Sequence, residues 1–153
     1  MELDLRAALP ILLPKAVAWA EAQSSLIAQT GQPLNDQLLL AAKNVGVQHP
    51  ELIHIAEVSN FPFPEDQELQ IAAIATGLLG PETAGITFGH SIYILEGYAT
   101  ITLLSHEFRH VYQYEQAGSI SNFLTDYLQQ IVSFGYYDAP LEVDARAHET
   151  MID

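Results

Sequence analysis

The sequence predicts an α+β fold, mostly helical, with one small β-sheet placed midway along the chain. Three observations carry this. Ile101, Leu104, Phe108 and Val111 recur at spacings of three and four, the stripe by which a helix faces a core. Two short apolar runs, Gly85–Phe88 and Ser91–Leu95, flank Gly89-His90, as in a β-hairpin. Residues 15–30 are rich in alanine and favour helix, and Gly31 and Pro33 stop them.

The remaining elements follow in order. Pro10 and Pro14 punctuate the N-terminus, so the first helix is expected to begin at Lys15. Asn35 suits the N-cap of a second helix that ends near Gly46. His49-Pro50 breaks the chain, and residues 52–58, rich in Ile and Val, read as a strand. A proline-rich loop then precedes a helix over residues 66–79, with Gly80-Pro81 as a turn. Helices are expected over residues 99–117, closed by Gly118, and 121–133, closed by Gly135. A last helix starts near Pro140, a favoured first-turn residue, and continues through Arg146.

Composition narrows the function. At 153 residues, 49% of them apolar, the chain fits one domain over residues 1–153. The net charge is −14, and the five basic residues (Arg6, Lys15, Lys43, Arg109 and Arg146) form no patch. A phosphate backbone or an anionic membrane surface would be repelled, so neither nucleic acid nor membrane is an expected partner. No stretch has the length of a membrane-spanning helix, and the start lacks the basic residues of a signal peptide. The expected location is the cytoplasm. With no cysteine, any metal must be held by histidine, carboxylate, other oxygen donors or water.

The chemistry concentrates in residues 105–110, Ser-His-Glu-Phe-Arg-His, which contain H-E-x-x-H inside a predicted helix. Residues four apart on a helix share a face, so His106 and His110 can aim both imidazoles at one point. Neutral imidazole is a good zinc ligand, which makes Zn2+ the expected cofactor. Glu107, rotated about 100° from His106, stands beside the metal as candidate general base. Gln113 continues the same face by one more turn.

A catalytic zinc wants three protein ligands and one open position. The third is expected from another element returning over the helix, and Glu142, in the first turn of the last helix, is the first choice. Asp144 is the alternative, either as ligand or as partner of a ligand imidazole, and Asp138 is a weaker one. His148 reads as a surface residue, His49 as a loop residue, and His54 and His90 as structural. A peptidase also needs a donor for the developing oxyanion, and Tyr127, Tyr136 and Tyr137 lie between the histidines and Glu142.

The run Leu-Leu-Ser-His-Glu-Phe-Arg-His-Val-Tyr-Gln at residues 103–113 resembles the zinc helix of small bacterial metallopeptidases of the minimal gluzincin type, within the gluzincin clan. The likeness covers roughly residues 85–149. It implies a zincin-like fold with a small β-sheet preceding the H-E-x-x-H helix. It implies zinc ligands at His106, His110 and Glu142, and a general base at Glu107. It also implies that Ser91–Leu95 is the edge strand above the cleft, where an extended peptide could pair. Many gluzincins carry an aspartate four residues after the third ligand; here that position is Arg146. The expected function is a zinc-dependent peptidase acting on a peptide or protein substrate. The alternative is a zinc-binding module of the same fold with little or no turnover, serving a binding or regulatory role.

Overall fold

The chain was analysed as a computed structural model, which describes residues 4–151. Its elements are α1 (Leu5–Thr30), β1 (Gln32–Pro33), α2 (Asp36–Asn44), a 3-10 turn at Pro50–Leu52, β2 (His54–Val58), α3 (Gln67–Ala75), β3 (Gly85–Phe88), β4 (Ser91–Leu95), α4 (Ile101–Ala117), α5 (Ile120–Phe134) and α6 (Pro140–Ala147). The fold is thus α+β and mostly helical, with a four-stranded mixed sheet ordered β1-β2-β4-β3. No helix among the described residues is long and apolar enough to cross a membrane.

Alternation along β4 explains the layering. Successive side chains of a strand point to opposite faces. Ile92 and Ile94 join Leu104, Phe108 and Val111 of α4, together with α2, in one apolar cluster. Tyr93 points the other way and joins Ala20 and Ile27 of α1 and the apolar face of α5. Ser91 on that same face donates to Ser24 O of α1 at 2.8 Å, and Tyr93 donates to Gln23 at 2.6 Å. Helices therefore cover the sheet on both sides, which is why β4 is buried along nearly its whole length.

Four expectations need correction. First, α1 begins at Leu5, not Lys15, and runs through Pro10 and Pro14. Asp4 caps it, accepting from Ala7 N at 3.2 Å. Arg6, Pro10 and Pro14 are all exposed, so the carbonyls that lose a helical donor to the prolines lie on the solvated side, where water can satisfy them. Second, α3 ends at Ala75 rather than at residue 79, because Gly77 takes φ +82° and turns the chain out of the helix. Third, residues 50–52 form a 3-10 turn, β2 starts only at His54, and the two-residue β1 pairs with it, a contact too short to leave a pattern in the sequence.

The fourth correction bears on function. Ser91–Leu95 is not an edge strand: β4 lies between β2, which it pairs in parallel, and β3, which it pairs antiparallel. The edge that borders α4 is β3. The expected hairpin of β3 with β4 is present, and it is the long-range parallel pairing of β2 with β4 that places β4 inside the sheet.

Phe108 is fully buried where α4 meets the sheet. Phe108→Ala is expected to cost about 3–5 kcal/mol of unfolding free energy in a urea titration. Leu40→Ala, at a residue that is 61% exposed, should stay within about 0.5 kcal/mol of wild type.

Candidate metal centre

α4 is capped by Thr100, whose side chain accepts from Leu103 N, and its first turns carry the two histidines. Their rings lie one above the other, with centroids 4.9 Å apart. Both Nε2 atoms face one carboxylate. His106 Nε2 is 3.2 Å from Glu142 Oε1, and His110 Nε2 is 2.8 Å from Glu142 Oε2. Glu142 reaches this point because α5 carries the chain away from α4 and α6 returns, with Leu141 N pinned to Gln130 Oε1 of α5 at 2.9 Å. The structure therefore brings His106, His110 and Glu142 together as a buried group that could hold a metal ion, with one potential ligand atom from each within 4.8 Å of the others.

The far sides of these residues are held as firmly. His106 Nδ1 lies 2.8 Å from Glu149 Oε2. Glu149 is fixed by its neighbour Thr150, which donates from its N to Ser105 Oγ and accepts at its O from Thr102 Oγ1. His110 Nδ1 lies 2.8 Å from Gln113 Oε1. The Gln113 amide nitrogen donates to Leu141 O and to Asp144 Oδ2, both at 2.9 Å, so its oxygen is left for His110. Asp144 in turn is held by Arg109, which also donates to Val45 O. Tyr127 donates to Glu142 Oε2 at 2.8 Å. With each Nδ1 engaged outside the site, each Nε2 is presented inward, the usual arrangement of metal-bound histidines.

The donor set fits a divalent cation. Three ligands at 2.0–2.1 Å in a tetrahedral shell are roughly 3.3 Å apart, close to the separations seen here. With no metal between them, the carboxylates favour protonated imidazoles. Burial opposes protonation of His106, but the hydrogen bond to Glu142, the charges of Glu107 and Glu142, and Glu149 outweigh it and raise its pKa to about 9. His110 is raised in the same way against its own burial. Burial also opposes ionisation of Glu142, yet its hydrogen bonds to the two imidazoles, and their charges, hold it well below the usual carboxylate range.

Glu107 lies beside the cluster and is buried. Its Oε1 accepts from Thr87 Oγ1 at 2.7 Å. Thr87 and Gly85 alternate on the face of β3 that meets α4. A Cβ at Gly85 would stand 3.2 Å from both Cγ and Cδ of Glu107, so the bare glycine leaves room for the carboxylate. Glu107, His110, Glu142 and Tyr136 all line a cavity of about 140 Å³ that runs towards α1 and α3.

The chain matches no protein-family model, no curated protein and no solved structure. The residues themselves must therefore carry the reading. Asp144 is outside the ligand cluster and serves Gln113 and Arg109. Asp138 is exposed and also outside it. Arg146 turns away, donating to Tyr137 O and stacking on the Tyr137 ring. Tyr137 is 70% exposed, Tyr127 is spent on Glu142, and Tyr136 lines the cavity with its hydroxyl close enough to Glu142 to share a hydrogen bond with it. His54 bonds Leu52 O, His90 bonds Glu115, His148 bonds Asp144 O, and exposed His49 pairs with Glu51. None of the four joins the cluster.

Sequence reading did not find Glu149 or Thr87. Glu149 stands seven residues after Glu142 but lies past the end of α6 at Ala147, so no helical spacing announced it. Thr87 had no signal either, since it depends on β3 packing on α4.

The raised histidines make a signed prediction. Protonated His106 stabilises the fold, fully so below its ordinary value of 6.5, and that contribution is lost as pH rises through about 9. In EDTA, the Tm of metal-free protein is expected to fall between pH 6.5 and 9. His106→Gln should have a lower Tm at pH 6 and a flatter profile above it.

Proposed function

We propose that this chain is a zinc-dependent peptidase of the gluzincin type. The observation that carries the reading is a second carboxylate, Glu107, fixed by Thr87 beside a two-histidine, one-glutamate cluster and facing a cavity. A metal site serving stability alone has no use for that carboxylate, whereas hydrolysis does.

His106, His110 and Glu142 would hold the zinc, which when bound supplies Lewis acidity to polarise a carbonyl and acidify water. Glu107 takes the proton from the attacking water and later delivers it to the leaving amine. Its Oε1 is held by Thr87, which leaves the other oxygen for the proton. The Tyr136 phenol keeps its proton, because burial and the charges of Glu142 and Glu107 push its pKa up. It is thereby suited to donate to the carbonyl oxygen as that atom gains charge. A peptide in extended form finds main-chain partners on β3. In the β3–β4 ladder, Leu95 N bonds Ala84 O, so Gly85 and Thr87 turn their main-chain groups away from β4. Thr87 O is taken by Tyr114, which leaves Gly85 as the open pairing position.

Two measurements test the proposal together. Protein purified without added metal is expected to carry close to one zinc per chain, with Glu142→Ala losing most of it. Glu107→Gln should keep its zinc and lose peptide hydrolysis by about 10²-fold or more. A wild-type chain that takes up no zinc on titration sinks the reading. Zinc bound with no hydrolysis of any peptide would instead mark a zinc-binding module without turnover.

Gly85 gives a finer prediction. In Gly85→Ala the new methyl would stand 3.0 Å from Ile94 Cδ1 and 3.2 Å from Cγ and Cδ of Glu107, so both side chains must give by a few tenths of an ångström. We expect kcat to fall about tenfold or more while zinc content is unchanged, as kinetics and metal analysis would show.

A further inference from the structure

The sheet has a second edge, and it is open over part of its length. β2 pairs β4 through all of its residues, but on its other side β1 covers only His54 and Ile55. His54 N donates to His90 O, and Val58 O accepts from Glu96 N, so both residues turn main-chain groups towards β4. By the period of a strand Ala56 does the same, while Ile55 and Glu57 turn theirs outward. Ile55 meets β1 there. The Glu57 N–H and C=O face the open side, with no hydrogen-bond partner on it among the described residues.

A groove of about 1280 Å³ runs along this open edge. Ile55, Leu38 of α2 and Ile101 of α4 line it on one face of the sheet, and Val58 and Leu26 of α1 on the other. Leu26 is 48% exposed, so apolar surface stands uncovered beside unpaired main-chain groups. The volume exceeds the roughly 300–1,000 Å³ usual for small-molecule sites and suits a length of chain.

We propose that this edge is a docking site for an extended segment of a basic partner protein, with alternating apolar and basic residues, which adds a strand to β2 opposite Glu57. The inference is independent of the peptidase reading, because β4 separates β2 from β3, the strand beside Glu107. Main-chain bonds to Glu57 supply the pairing, and the strand period supplies the pattern. The partner residue opposite Glu57 has its side chain on the Glu57 face, where Lys or Arg pairs with the carboxylate. Its two neighbours turn to the other face, beside Val58 and Leu26, and are apolar. Charge decides the occupant. Glu57 is the sole charged residue lining the groove, and the whole chain carries −14. A second copy paired at this edge would set that charge against itself, whereas a basic segment meets the opposite field.

Fluorescence polarisation of a labelled peptide tests this on the full chain, in EDTA so that no hydrolysis intervenes. The probe is a short synthetic peptide of alternating valine and lysine. Saturable binding is expected, weaker by about tenfold or more for the peptide with glutamate in place of lysine. The same loss is expected with the Glu57→Lys and Leu26→Asp chains. Both residues are exposed, so both variants should keep the wild-type Tm. N-methylation separates strand pairing from charge attraction alone. Methylating one alternate set of peptide nitrogens should abolish binding, and methylating the other should leave it within about threefold. No saturable binding of the lysine peptide overturns the proposal. So does binding that Glu57→Lys leaves intact, since the peptide then sits elsewhere. Binding that tolerates methylation of both sets overturns it as well, because no strand is then added. A chain that sediments as a dimer without peptide, and as a monomer in Leu26→Asp, gives the groove to a second copy and overturns the basic occupant.

Discussion

Everything in the functional half of this molecule depends on burying the Glu142 carboxylate. It is 1% exposed, and an ionised carboxylate out of water is costly unless it is paired and hydrogen-bonded. Three groups meet that demand, His106, His110 and Tyr127, and they come from two helices, α4 and α5. The carboxylate thus ties α4, α5 and α6 into one arrangement, with protons or a metal between it and the imidazoles. Around it, Arg109, Asp144 and Gln113 fasten α6 to α4 a second time. The result is that the histidine nitrogens are held in one orientation by the protein alone, so little ordering would oppose the binding of a cation there.

The sheet contributes differently. Its core faces serve packing, but the edge strand β3 serves the site. Glycine at 85 and threonine at 87 fall on the same face by the period of a strand, and both act on Glu107, one by giving space and the other by a hydrogen bond. A shift of one residue in the β3–β4 register would turn Ile86 and Phe88 towards Glu107 instead. The tight Gly89-His90 connection and the buried pairings of β4 are what forbid that shift. The accuracy with which Glu107 is held is therefore a property of the hairpin, not of the helix that carries it.

How much of this was legible in the sequence follows the range of the interactions concerned. The helix that carries the histidines was readable because both of them and the apolar stripe belong to one element and repeat with its period. The hairpin was readable for a similar reason. Glu142 was reachable by counting elements, because a short helical excursion returns the chain to its start, and the structure brings it to the histidines, while Asp144 is committed to Arg109. The first ten residues of α1 were misread because proline is normally a helix breaker. Only the solvated placement of Arg6, Pro10 and Pro14 makes the prolines tolerable, and solvent exposure of a helix face is a tertiary property. The edge position expected of Ser91–Leu95 failed for the same kind of reason. β2 and β4 are separated by more than thirty residues, and nothing local in either run announces a parallel partner.

The cavity poses a question of cost that bears on what the fold is for. At the energies measured for cavities in protein cores, leaving about 140 Å³ unfilled forgoes about 3 kcal/mol. That is a large part of the 5–15 kcal/mol by which domains of this size are stable. The remedy was close at hand, because Ala16, Ala72 and Ala73 line the space and a single larger side chain at any of them would reduce it. Small residues at three adjoining wall positions, opposite a rigidly seated Trp19, keep the space open instead. Structure that gives up stability in this way is most often found where a ligand must enter. The same chain fills its other core, around Phe108, with residues that are fully buried. The contrast between a filled core around Phe108 and the open space beside Glu107 leaves the cavity next to the His106–His110–Glu142 cluster, on the α1 and α3 side.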